Sequence, residues 1–290
     1  MTKLLLALGL VFSIQAQANQ ENAKAAEDAY NLRDYTEAGV ANAQTAADLY
    51  QDLIDSETDE EVKMSYMTKQ ASAYYFIGSA DDDKKTQIAA YEKAMEISDN
   101  LQTMLGVDKD KSHQLDEKQV ADIKNSLSDT KEALLAEAWY NKGISLAQWG
   151  NLKGISTSIG KLPVVIGHME NIERLGYADI HEYGPYRTVG RIRYKLPAIL
   201  GGDLEESEQY LKDATTKTLA PGQRYSINGY NNLYFAETLY KRGKENAAKT
   251  LLKAFIKADF ATLAVGNEPE NREALRIANE LAVDWQIDLE

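Results

Sequence analysis

The sequence predicts an all-α fold built from consecutive antiparallel helical hairpins. Three observations carry that expectation. Apolar residues recur at helical spacing along most of the 290-residue chain, and no stretch alternates apolar with polar residues as a half-buried strand would. All five prolines (Pro163, Pro185, Pro197, Pro221 and Pro269) lie beyond residue 160, which leaves the first half without a strong helix breaker. Capping residues and glycines then cut the periodic stretches into short helices that come in pairs.

In chain order, the periodicity predicts helices over residues 20–33, 35–54, 58–79, 83–105, 116–149, 155–175, 184–197, 203–219, 223–242, 244–258 and 270–284. Asp34, Asp81 or Asp82, and Asp203 stand where N-caps are expected, and Gly78, Gly150 and Gly243 where helices should stop. Residues 20–105 read as early, degenerate repeats. Residues 106–116, rich in charge, read as a solvated linker, and 270–284 as a C-terminal capping helix. Together, residues 19–290 are expected to form a single all-helical domain.

The first eighteen residues have a different grammar. Lys3 precedes an apolar run from Leu4 to Ile14, and Ala16-Gln17-Ala18 offers a small-residue cleavage site before Asn19, the layout of a secretory leader. The run is well short of the ~20 residues that cross a bilayer. Cleavage is therefore expected after Ala18, giving a periplasmic protein without a transmembrane span. The chain has no cysteine, which excludes disulfides, thiolate metal sites and a lipid anchor on a terminal cysteine. Its formal net charge of −13 argues against nucleic acid as a partner.

Motifs for chemistry are near misses. Gly154 to Lys161 has the outline of a phosphate loop with one residue too many and leucine in place of the magnesium-binding hydroxyl. Asp108 to Asp116 has the outline of a calcium loop, but His113 stands at its glycine position and Gln119 where the bidentate glutamate belongs. His113, His168 and His181 lack metal-ligand spacing. The expectation is a binding protein rather than an enzyme, with no metal and no cofactor.

The helix pairs follow a period in the thirties. Tyr74, Tyr75 and Gly78 precede Tyr91 and Ala94; Trp139, Gly143 and Gly150 open another unit; Arg187, Gly190 and Tyr194 precede Ser207, Leu211 and Ala214; and Ala236, Leu239, Tyr240 and Gly243 precede Ala248 and Leu252. This pattern resembles degenerate tetratricopeptide repeats stacked as a solenoid or closed helical array. An irregular helical bundle is the competing arrangement.

Residues 183–243 are more specific. Tyr183-Gly184-Pro185-Tyr186-Arg187 leads through Gly190-Arg191 and Pro197 to Gly201-Gly202-Asp203-Leu204-Glu205, and Ala236-Glu237 follows in a later helix. This block resembles the T-component family associated with TRAP transporters (TatT-like proteins), marked by a G-x-x-R-x-x-G-R helix, a proline and a Gly-Gly-Asp-Leu-Glu turn. The resemblance implies an exported, all-helical protein that partners the periplasmic solute-binding P component of a tripartite transporter, a homotrimeric assembly, and a cavity for an apolar or organic-acid ligand. Such proteins are often lipoproteins, and here the anchoring cysteine is missing.

Within the block, Gly184, Pro185, Gly190, Pro197, Gly201, Gly202 and Asp203 read as structural: a tight turn, a close helix approach, a helix end, a sharp reversal and an N-cap. Arg187 and Arg191 share a helical face, with Arg193 nearby and Tyr183 and Tyr194 on or near it. Bidentate arginines beside stacking rings suit a ligand carboxylate. The same arginines could instead pair with Glu182, Glu205 or Glu206. Tyr186, Asn231 and Tyr234 complete the candidate ligand- or partner-binding set, because tyrosine buries a ring and keeps a polar tip for a wet groove. Arg187→Ala is expected at this level to weaken binding and spare folding. The function that follows is a helical-repeat adaptor in TRAP-type uptake of an organic or apolar solute. The alternatives are a free-standing carrier of a hydrophobic or amphipathic ligand and a tetratricopeptide scaffold for envelope assembly.

Overall fold

The structure, a computed structural model, describes residues 18–289; the expected leader, apart from Ala18, lies outside the described residues. The described chain is all-helical. It contains no β-strand, and its one isolated bridge joins Leu219 to Ser226. The helices are α1 (18–31), α2 (Glu37–Ser56), α3 (Glu60–Ala80), α4 (Lys84–Met104), α5 (Glu117–Ser126), α6 (Asp129–Lys153), the short α7 (Ile155–Ser158), α8 (Leu162–Leu175), α9 (Ile180–Lys195), α10 (Leu204–Lys217), α11 (Gly229–Lys241), α12 (Glu245–Ile256) and α13 (Glu268–Asp284). Among the described residues no helix is long and apolar enough to cross a membrane.

Contacts divide the chain into two compact units. Among the described residues, one holds 18–112 together with 125–158, and the other 113–124 together with 159–289. In the first, α2 packs on α3, α3 on α4, and both α3 and α4 on α6. Ala26, Ala46, Tyr50 and Leu53 join α1 to α2, while Ala43, Phe76, Ile77 and Ala90 join α2, α3 and α4. Alanines at these positions let helix axes approach, and the large rings fill the spaces between them. Trp139 on α6 is fully buried, and its indole Nε1 donates to Gln102 Oε1 on α4 at 3.2 Å. The same oxygen accepts from the Ser112 hydroxyl at 2.7 Å. Ser112 and Val107 are buried, so the 106–116 segment is anchored at both rather than being solvated throughout.

In the second unit, α9 and α10 form a hairpin, α10 packs on α11, and α11 on both α12 and α13. Leu233, Ala236, Leu239, Leu252, Phe255, Ala274 and Ala278 supply much of this core. Gly229 at the start of α11 sits so close to α13 that an added Cβ would lie 2.8 Å from the Ala274 methyl.

Several boundaries differ from the sequence expectation, each for a local reason. The 116–149 helix is two helices, because Ser128 caps α6, its hydroxyl accepting from Lys131 N. Gly78 and Gly150 lie inside α3 and α6 and do not end them. A Cβ on Gly78 would meet the Tyr91 ring at 2.7 Å, and one on Gly150 would meet Ser158 Cβ at 2.8 Å, so both glycines admit a neighbour. The terminator of α6 is Gly154, at φ +89°. The stretch 155–175 breaks into α7, a 3₁₀ turn and α8, with Pro163 at the α8 start. Residues 218–228 are a loop, not helix: Ala220 N donates to Tyr225 O and Ile227 N to Thr218 O around the Pro221-Gly222 turn. Thr36 rather than Asp34 caps α2, and Asp83 rather than Asp81 or Asp82 caps α4. Asp203 and Gly243 hold the places expected of them, as N-cap and as left-handed helix terminator.

Candidate functional site

The α9–α10 hairpin gathers most of the residues that the sequence singles out. Gly190 lets α10 press against α9, where an added Cβ would sit 2.7 Å from Leu211 Cγ. Ser207 Oγ donates to Gly190 O at 2.8 Å and is within 3.2 Å of the Thr238 hydroxyl on α11. The connection between the two helices is tied off locally. Gly202 N donates to Pro197 O, Asp203 N to Arg193 O, and Arg193 Nη1 to Gly201 O at 2.8 Å. Gly202 is obligatory in this reversal, since any Cβ there would lie 1.8 Å from Leu196 O.

Asp203 caps α10 through its Oδ1, which accepts from Glu205 N at 2.8 Å and Glu206 N at 3.0 Å. These backbone bonds, from Glu206 first, hold its carboxyl below the usual carboxylate range. A lowered folded-state value means stabilisation that is present above the unfolded carboxylate range, about pH 4, and lost as pH falls through the lower folded value. Asn caps a helix without titrating. Wild type is therefore expected to melt above Asp203→Asn at pH 6, with the gap closing toward pH 2. A gap that does not change with pH would contradict a charge-dependent cap.

The most unusual backbone lies at the start of α9. His181, Glu182 and Tyr183 take φ values of 50°, 52° and 60°, three successive left-handed residues of which none is glycine. Each such residue costs about 1–2 kcal/mol, so the turn persists only because its surroundings over-determine it. Arg187 supplies much of that determination: its Nη1 donates to His181 O at 3.1 Å, to Glu182 O at 3.4 Å and to Asn231 Oδ1 at 3.0 Å. Asn231 Nδ2 in turn donates to Glu182 O at 2.9 Å. The Glu182 carboxylate accepts from Asn228 Nδ2 at 3.1 Å and Asn267 Nδ2 at 2.8 Å. Asn228 is also the α11 N-cap, with its Oδ1 accepting from Tyr230 N and Asn231 N. Gly184 and Pro185, both buried, begin the right-handed part of α9 directly after the turn.

The turn aims Tyr183 into a ring cluster. Its ring centroid is 5.6 Å from Tyr186, and Tyr186 is 5.7 Å from Tyr210 of α10 in an edge-to-face arrangement. Tyr186 donates its hydroxyl to Glu173 Oε1 of α8 at 2.6 Å. Burial first, and then this bond, push the Tyr186 phenol up. The Lys217 ammonium stands 5.2 Å from the Tyr183 centroid. All three tyrosines are half-buried.

A second group lies further along α9. Arg191 makes a bidentate pair with Glu237 of α11, at 2.8 and 3.3 Å. Its guanidinium is also 4.1 Å from the Tyr234 centroid and 4.8 Å from that of Tyr194. Arg193 pairs with Glu206 at 2.9 Å. Thus Tyr183 and Tyr194, expected near one arginine face, belong to separate clusters. Arg187 reaches the Glu182 backbone carbonyl, and Arg191 pairs with a glutamate that spacing alone did not suggest. Asn231 is fully buried in the clamp, and Tyr234 lies with Arg191. Sequence reasoning left out Glu173, Tyr210 and Lys217. Tyr210 and Lys217, seven apart on α10, could have been found from their helical spacing; Glu173 could not. Among the described residues, no group of three or more histidine or acidic side chains is placed to hold a metal ion.

No family model matches the chain, and no curated protein matches it significantly.

Proposed function

We propose that the protein is an exported helical-repeat adaptor that engages a periplasmic solute-binding partner in TRAP-type uptake of an organic or apolar solute. One observation carries this reading. In the block that resembles T-component proteins, a strained left-handed turn is clamped by four polar side chains, and the turn presents tyrosines at the surface. Strain of this kind concentrates where a backbone serves a site, and half-buried tyrosines are favoured in protein interfaces. Packing of consecutive helices in pairs, with Gly78 against Tyr91 and Gly190 against Leu211, supports the repeat arrangement. The secretory pattern before Asn19 supports a periplasmic protein.

The test is affinity capture from lightly crosslinked envelope of the native host at chromosomal expression levels. Recovery of a solute-binding protein is the expected result. Its absence from crosslinked eluates, with the bait quantitatively recovered, would contradict the reading.

A further inference from the structure

We propose that the Tyr183–Tyr186–Tyr210 cluster is the docking site for a lysine- or arginine-bearing segment of the partner protein. This rests on the reading above that the chain engages a protein. The rings offer electron-rich faces and edges that attract cations. Four carboxylates act on them: Glu173 and Asp213 on Tyr186, and Glu170, Glu173 and Glu206 on Tyr210. Arg174 neutralises Glu170 and Arg193 neutralises Glu206. Among the described residues, Glu173 and Asp213 have no cationic partner: Glu173 accepts only from the Tyr186 hydroxyl and Asp213 only from Gln209 Nε2.

The cluster already holds a cation of its own. Tyr210, Asp213 and Lys217 fall at helical spacing along α10, and the exposed Lys217 ammonium reaches the Tyr183 ring. A long lysine side chain on the surface is readily displaced by an incoming one. An anionic segment would meet two unneutralised carboxylates, and a wholly apolar one would strand the Glu173–Tyr186 bond away from water. The chain's net charge of −13 adds a field that draws basic segments toward it. Arg187, Arg191 and Arg193 are turned to the protein's own groups, so they do not oppose a cation here.

Calorimetric titration with a hexalysine peptide at low ionic strength tests the proposal, using three substitutions of exposed side chains whose melting curves confirm folding. Glu173→Gln is expected to weaken binding about two- to fivefold, the upper part of the range for one exposed ion pair. Lys217→Met is expected to tighten it by a similar factor, because a competing cation is removed. Glu60→Gln, the same charge change on α3, should leave it unchanged. Two unresponsive site variants, or a Glu60→Gln effect equal to that of Glu173→Gln, would overturn the proposal. So would tetramethylammonium binding as tightly as hexalysine, which would assign the cluster to a small cation. Failure here with a solute-binding protein still captured from the envelope removes this inference alone. Failure of the capture with a site-specific hexalysine response removes the transport reading and leaves the cationic docking site standing.

Discussion

Arg187→Ala will lower the stability of the second unit by about 2 kcal/mol and remove binding at the tyrosine cluster at the same time. The guanidinium serves at least three acceptors, and hydrogen bonds from a charged donor are each worth about 1.5–3 kcal/mol. The sum is not reached, for two reasons. Glu182 O keeps its bond from Asn231, and the left-handed turn can relax, returning part of its strain of about 1–2 kcal/mol per residue. Relaxation moves Tyr183 away from Tyr186, which is why the binding face fails along with the fold. Arg187→Lys should restore little, since an ammonium on a flexible stem cannot span acceptors set for a planar fork. Urea unfolding of the alanine and lysine variants checks this. A wild-type midpoint for Arg187→Ala would show that the turn stands without its clamp, as the sequence-level expectation of intact folding has it.

The second large effect lies in the first unit. Trp139→Ala is expected to cost about 3–5 kcal/mol, as for other buried large-to-small changes. Trp139 is fully buried on α6, in the layer that α3 and α4 cover, and its removal opens a space that three helices cannot close without moving. Trp139→Phe separates ring volume from polarity. It keeps most of the packing and loses the indole bond, while Gln102 Oε1 retains the Ser112 hydroxyl. The phenylalanine variant should therefore fall only about 1–2 kcal/mol below wild type, mostly from the lost hydrogen bond. Denaturant titration followed by circular dichroism measures both. A loss under about 1 kcal/mol for the alanine variant would contradict the packing described for α6.

How far these features were legible in the sequence depends on the distance over which they are determined. The helices were readable because their period is local. So were the Asp203 cap and the Gly243 terminator, each decided within one turn. Gly78 and Gly150 look like stops in the sequence, because a glycine admitting a neighbour looks the same there as one that ends a helix. Only Tyr91 and Ser158, packed against them, tell the two apart. The left-handed turn was invisible for a stronger reason. Histidine visits that backbone more often than most residues, but Glu182 and Tyr183 have no preference for it, and the groups that impose it include Asn228, Asn231 and Asn267, more than forty residues away. The arginine face was visible as spacing, but its partners were not. Glu237 is a turn of α11 brought against α9, and nothing near Arg191 announces it. For the same reason the tyrosines sorted themselves into two clusters rather than one.

The most direct test of a tyrosine face that engages a protein is site-specific photocrosslinking in living cells of the native host. A photoreactive amino acid is placed at position 209, beside Tyr210 on α10, and in a second strain at position 60 on α3. The account predicts one dominant adduct from position 209, to a solute-binding protein, that diminishes with Glu173→Gln and does not form from position 60. Equal adducts from both positions, or none from position 209 in a folded and exported protein, would contradict it.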